Sequence, residues 1–362
     1  MEGKKRFRLN NLDWVNTLFL ILTPLATIAL VTAYVKKDGF DPLMLIPAVL
    51  MYFISGMSIT AGYHRLFSHK AYQANSFLKF IYLLFGAGAF QNSALKWCTD
   101  HRRHHTHCDD EKDPYNIREG FWWAHMGWVM VKEEEKYNGV YAKDLASDKL
   151  VWLQHKYYLP LCVLSGFIIP TIIGYFMGSA LGGLAVVGVG RVVFVHHCTF
   201  FINSWAHMWG TQPYTDTNTA KDNFVLAVFS YGEGYHNFHH YFQNDYRNGV
   251  RWYQYDPTKW LINFSEKLGW AHSLKRTSEE EILKAKLEMA EKNLATKGAD
   301  LSALDQVKQK IDEAILNLQE LRRELKKASD TSELEKLIKE ELKSLRAAFD
   351  AWSYSATRLS FA

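Results

Sequence analysis

Apolar residues in this chain gather into long blocks separated by short polar breaks. Four blocks, at about 14–34, 42–62, 157–177 and 181–202, reach the roughly 20 residues that a helix needs to cross about 30 Å of hydrocarbon. Only Gly178, Ser179 and Ala180 separate the last two, and 35–41 separates the first two, so each pair predicts a helical hairpin with a short outer turn. Four crossings of this kind leave both ends and the long middle segment on one side of the membrane. A fifth block, 77–90 (FLKFIYLLFGAGAF), has only 14 residues and is interrupted by Lys79 and by glycines. It predicts a segment that dips into the membrane or lies along its interface without crossing.

The pattern changes after about residue 275. Aromatics disappear until Phe349, and the sequence becomes charged and rich in alanine and leucine. Ser278-Glu279-Glu280-Glu281 reads as a capping box opening a helix that ends near Gly298. A second helix carries Leu304, Ile311, Leu318 and Leu325 seven residues apart, with Leu301, Val307, Ile315 and Leu321 widening the stripe. A third, capped over Ser332 to Glu335, has Leu334, Leu337, Ile338, Leu342, Leu345, Phe349 and Trp352 on its apolar face. The reading is all-α: a cytoplasmic segment at 1–13, a membrane domain at 14–275, and a soluble helical hairpin or bundle at 276–362.

Composition refines this picture. Mean hydropathy is slightly negative, but that average merges apolar blocks with charged stretches. Lys4, Lys5, Arg6 and Arg8 precede the first block and mark that end as cytoplasmic. The first block lacks a small-residue cleavage site and reads as a retained anchor. The net charge is +4, and no basic tract interleaved with aromatics suggests a nucleic-acid surface. Cys98, Cys108, Cys162 and Cys198 show no paired spacing and are expected as free thiols. Arg191, in the middle of the fourth block, is expected to face a neighbouring helix and bond a carboxylate or backbone carbonyls.

The chemistry lies in the histidines. Of 15, eight fall in three groups: His64 and His69 in YHRLFSH, His101, His104 and His105 in DHRRHH, and His236, His239 and His240 in YHNFHH. On a helix, residues i, i+3 and i+4 share a face, so each HxxHH group projects three imidazoles one way. A ninth, His207, lies four residues after Asn203 at the end of the fourth block. Nine nitrogens exceed what one metal accepts and suit two ions with room for a water or dioxygen-derived ligand. A zinc hydrolase would show three ligands and a carboxylate base. One shared site also requires 77–90 not to cross, since a crossing would put the first two groups on opposite faces. Asp100, Asp109, Asp110, Asp113 and Glu233 are candidates to accept the second N–H of the ligand rings, Asp100 and Glu233 foremost because each lies within three residues of a ligand. His107 is read as solvated or as supporting the ligands, His125, His155 and His272 as structural or surface residues, His196 as too far along its helix to bind, and His197 as packed or paired.

These residues resemble the membrane fatty acid desaturases, in particular the delta-9 acyl-CoA desaturases of the stearoyl-CoA type. The likeness runs from about residue 14 to 274 and rests on GYHRLFSHKAY, WCTDHRRHH, DPYNIREGFWWAHMGW, NSWAH and GEGYHNFHH. Related membrane hydroxylases usually carry HxxxH and HxxxHH in the first two boxes. The resemblance implies a four-span fold with a cytoplasmic histidine-rich cap, in the endoplasmic reticulum or a bacterial inner membrane. It implies two iron ions, one on five of the nine histidines, the other on four histidines and a water held by Asn203, with dioxygen as co-substrate. It further implies a kinked acyl tunnel shaped by Gln91, Trp97 and Thr199, with Asn92 and Asp100 near the coenzyme A head group. Animal members have a basic pair after GW-x-x-V where this chain has Lys132 and Glu133, which keeps acyl-carrier-protein or lipid-linked substrates open. A membrane fatty acid or sterol hydroxylase using the same metals, and a histidine-rich metal carrier, are the alternatives. Beyond His240 the only histidine is His272, and no cysteine follows Cys198, so no haem or iron–sulfur site is expected from these residues. Electrons are expected from a separate protein such as cytochrome b5, ferredoxin or rubredoxin.

Overall fold

A computed structural model describes residues 9–132, 141–328 and 331–359; Lys4, Lys5, Arg6, Arg8 and Glu133 lie outside them. The chain divides into two compact units, Met1–Thr211 with Asn218–Arg276, and Gln212–Thr217 with Thr277–Ala362.

Among the described residues of the first unit, four helices are long and apolar enough to cross a membrane: α1 (Trp14–Asp38), α2 (Pro42–Ser68), and two introduced below. Asp13 caps α1 by accepting from the Asn16 N–H (3.0 Å), and Gly39, at φ 78°, ends it. α3 (Ser76–Ala87) has 12 residues, too few to span about 30 Å at 1.5 Å per residue. It buries Leu78, Tyr82 and Leu83 and exposes Phe77 and Phe80, while Lys79 pairs with Asp148 at 2.8 Å. Left-handed Phe90 and Asn92 then turn the chain, and Ser93 caps α4 (Ala94–His107). After the short α5 (Phe121–His125) come the other two apolar helices, α6 (Tyr158–Phe176) and α7 (Ala180–His207). α8 (His236–Tyr241) and α9 (Pro257–Lys267) follow. A two-residue antiparallel pair, β1 (Gln73–Ala74) with β2 (Ala271–His272), fastens the end of this unit beside the end of α2.

Apolar side chains supply little attraction between helices in lipid, so close backbone approach matters. A side chain at Gly174 of α6 would meet the Gly183 Cα of α7 at 2.3 Å, and one at Gly183 would meet the Pro170 carbonyl at 2.4 Å. The two helices therefore pack backbone on backbone across their tight turn. Arg191 donates to the carbonyls of Gly88 (2.6 Å), Val187 (3.3 Å) and Gly166 (3.4 Å). It is a structural tie between helices, bonded to carbonyls as its place in an apolar block requires.

The second unit is helical: α10 (Glu279–Thr296), α11 (Asp305–Leu325) and α12 (Ser332–Leu359). Ser278 and Glu281 form a reciprocal capping box at the start of α10. Leu304, Ile311, Ile315 and Leu318 pack against Ile338, Leu345 and Trp352. Leu337, expected on the buried face of α12, is 43% exposed: the buried positions recur every seven residues, and 337 falls about 100° to one side of that row. Asp216, within 212–217, pairs with Lys292 of α10 at 2.7 Å.

Candidate metal centre

Four elements deliver the nine histidines. α4 presents His101, His104 and His105, α8 presents His236, His239 and His240, and the tightened last turn of α7 presents His207. The end of α2, over Ser58–Ser68, widens to i→i+5 bonding and presents His64 and His69. The rings sort into two groups that could each hold a metal ion: His64, His69, His101, His105 and His239, and His104, His207, His236 and His240.

The nitrogen spacing fits metals. In the five-histidine group, Nε2 atoms approach at 2.8 Å (His69–His101), 3.0 Å (His64–His239) and 3.0 Å (His105–His239). In the four-histidine group, His236 lies 3.1 Å from both His207 and His240, and His104 is 3.3 Å from His240. Metal–nitrogen bonds of about 2.1 Å at right angles place neighbouring ligands roughly 3.0 Å apart. All nine turn Nε2 inwards. Burial, reinforced by the neighbouring rings, pulls His69, His101, His105, His236, His239 and His240 well below the usual imidazole range. They are neutral, as ligation requires. Burial acts on His104 in the same direction, but the Asp113 carboxylate outweighs it and lifts the ring to about 10; a metal would displace that proton.

The outward nitrogens show how the rings are held. His104 Nδ1 meets both Asp113 oxygens at 2.9 Å, His101 Nδ1 meets the Tyr115 hydroxyl at 3.2 Å, and His207 Nδ1 meets the Thr219 hydroxyl at 2.8 Å. His64 Nδ1 lies 2.9 Å from Glu233 Oε2, off the line of an ideal hydrogen bond. Arg65, fully buried, donates to Glu233 (2.8 Å) and to both Asp256 oxygens (3.0 and 3.1 Å). Burial would raise Glu233, but His64 and Arg65 hold it down at about 2.

Of the carboxylates expected to back the rings, Glu233 serves His64 rather than its near neighbour His236, and Asp113 serves His104. Asp109 reaches His207 through Thr219. Asp110 pairs with His107, and Asp100 accepts from Lys96 at 2.6 Å. Proximity in sequence is a poor guide here because the backing group comes from whichever loop covers the outward nitrogen. Thr219, Tyr115, Arg65 and Asp256 were missed. Arg65 alone carried a signal, being a cation next to a candidate ligand, three residues past an apolar block.

An apolar cavity of about 240 Å³ reaches both groups, touching His64, His101, His104 and His236. Gln91, Asn92, Trp97, Asp100, Thr199 and Asn203 all line it. Gln91 Nε2 donates to Thr199 Oγ1 (2.9 Å), and the Trp97 indole stacks on His101 with centroids 4.9 Å apart. An adjoining pocket shares Asn92 and Asp100 and adds Lys96, Arg103, Lys112 and Lys132. The other histidines take protein partners: His196 bonds the Ala89 carbonyl (2.8 Å), His125 bonds His197 (3.1 Å), His155 bonds Ser93 (2.7 Å) and His272 bonds Gln73 (3.0 Å). All four cysteines are free.

Residues 41–274 match the family model for fatty acid desaturase. A probable acyl-CoA desaturase of Schizosaccharomyces pombe is 42% identical over 286 residues, covering 78% of this chain and 59% of that protein. Acyl-CoA desaturase 1 of Saccharomyces cerevisiae is 41% identical over 309 residues, 83% of this chain and 60% of its own. The acyl-CoA Delta-9 desaturase of Acheta domesticus is 38% identical over 269 residues, 72% of this chain and 74% of its own. The chain thus spans about three fifths of the length of the two yeast relatives. The matched stretch holds both histidine groups and all of the cavity lining except Val15, Asn16, Phe19 and Leu20 of α1, and the chain belongs to the fatty acid desaturase family.

Proposed function

We propose that the chain is an oxygen-dependent fatty acyl-CoA desaturase that inserts a cis double bond, at the delta-9 position, into a saturated chain. The observation that carries this reading is that a five-histidine and a four-histidine group meet one apolar cavity. Two iron ions bound there, the second with a water held by Asn203, would supply the activation of dioxygen and the oxidising strength that no side chain has. The protein's own part is positional. Buried neutral imidazoles present lone pairs, the apolar wall excludes water, and the Gln91–Thr199 bond beside Trp97 bends the path of the acyl chain. Whichever methylenes that bend holds near the histidines are the ones that react.

The adjoining pocket sets Lys96, Arg103, Lys112 and Lys132 among Asp13, Asp100, Glu111 and Asp113, a charged opening beside Asn92 for the polar head of the substrate, and the relatives' names make coenzyme A the carrier of choice. The site faces the cytoplasm from the endoplasmic reticulum or a bacterial inner membrane, as the basic flank Lys4 to Arg8 suggests. In this reading a donor of the cytochrome b5, ferredoxin or rubredoxin class supplies the electrons. The domain limits at 1–13, 14–275 and 276–362, with 77–90 lying along the membrane, belong to the same reading.

Lipid profiling of a host expressing the chain or its His104→Ala variant tests it. New monounsaturated acyl chains with the parent and none with the variant are expected. A hydroxylated product without an alkene would favour the hydroxylase instead, and equal alkene from both would end the proposal.

A further inference from the structure

His207 is held differently from His104 in the four-histidine group. His104, in the same group, rests its outward nitrogen directly on a carboxylate, whereas His207 Nδ1 meets the Thr219 hydroxyl at 2.8 Å. That hydroxyl lies 2.7 Å from Asp109 Oδ1, and the Thr219 backbone N–H donates to Asp109 Oδ2, also at 2.7 Å. Asp109 is buried, and its backbone is left-handed at φ 68°, just past the end of α4. Its own N–H donates to Asp113, the carboxylate behind His104 (3.0 Å). An L residue adopts that conformation at a cost, and here it turns the Asp109 carboxylate to grip residue 219, over a hundred positions away.

Proton accounting fixes the direction of this chain. A carboxylate only accepts, so the one hydroxyl proton of Thr219 goes to Asp109. The hydroxyl oxygen must then accept from His207 Nδ1–H. With Nδ1 protonated, the neutral ring carries its lone pair on Nε2, which faces His236 Nε2 at 3.1 Å inside the group.

We propose that Thr219 is a positioning residue which, oriented by Asp109, locks His207 in the tautomer that ligates the metal of the four-histidine group. This rests on reading that group as a metal site. Losing such a supporting bond weakens metal affinity about 10–100-fold. The five-histidine group has no member in the relay, so the two ions respond differently.

The test uses the full-length chain, purified in detergent and loaded with iron, with Thr219→Val, Thr219→Ser and Asp109→Asn. Iron per chain is measured during exposure to a chelator, together with the Mössbauer spectrum. The parent is expected to retain two ions. Thr219→Val should lose one about 10–100-fold more readily while the signal of the other persists, Thr219→Ser should restore retention, and Asp109→Asn should fall between. Loss of both ions together, or failure of serine to restore retention, would mean a merely structural role and overturn the proposal. So would parent-like retention by Thr219→Val. Should the valine variant not fold, Asp109→Asn with parent-like retention overturns it equally. A parent that never holds two ions would instead overturn the metal reading itself.

Discussion

The backbone N–H of His69 donates to the carbonyl of His64, five residues earlier, at 3.1 Å. In a regular α-helix, residues five apart project about 140° away from each other. The widened turn brings them to one side instead, and the two rings meet edge to face with centroids 4.8 Å apart. This is why HxxxxH works at the end of α2, and why the segment departs from α-helical bonding where a site is assembled. Inserting one alanine between Leu66 and Phe67 would swing His69 by roughly 100° out of its group. Iron analysis of the purified, membrane-inserted variant should find close to one ion per chain, and two retained ions would count against this account of the turn.

Arg65 and Asp256 form a buried ion pair that also involves Glu233. Asp256 further accepts from the backbone N–H groups of Asn248, Gly249 and Lys259. Asp256→Ala removes all of these and leaves buried donors unpaired, at a cost of about 3–5 kcal/mol. Thermal unfolding followed by size-exclusion chromatography should show a midpoint lowered by roughly 10 °C. An unchanged midpoint would show that the network contributes little.

The Gln91–Thr199 bond lies in the cavity wall. If it bends the acyl path, Thr199→Val should leave the enzyme active but spread the double bond over neighbouring positions. Mass spectrometry of derivatised fatty acids locates the bond. A single unchanged position, or loss of all product as with His104→Ala, would contradict the assigned role.

His125, on α5, bonds His197 and the Ser204 hydroxyl (3.0 Å) and stacks on Phe121. Burial, helped by His197, lowers it from 6.5 to about 4. The unfolded chain therefore takes up a proton below 6.5 that the folded chain refuses until about 4, so this stability is present above 6.5 and lost as pH falls through that window. His125→Gln should flatten the dependence of the unfolding midpoint on pH between 6.5 and 4, and an unaltered slope would locate the titration elsewhere.

Much of this molecule could be read directly from its sequence. Four apolar blocks announce four long helices because lipid forces every backbone polar group to bond within its own segment. HxxHH announces a shared helix face because side-chain direction on a helix is local. The capping box at Ser278 and the seven-residue stripe of Leu304, Ile311 and Leu318 are local in the same sense. Other features depended on distant pieces of chain. Which five histidines share one group was decided by how α2, α4 and α8 meet, and no spacing within a box encodes that. Glu233 reaches His64 from far along the chain, whereas Asp113 and Thr219 reach His104 and His207 by loops that fold back on the helices just before them; in each case the path of the loop, not the spacing within a box, brings the partner to the outward nitrogen. The sequence determined which residues can ligate. Only the tertiary structure decided which of them stand close enough to share an ion, because that depends on distances of about 3 Å between atoms whose separation along the chain carries no information.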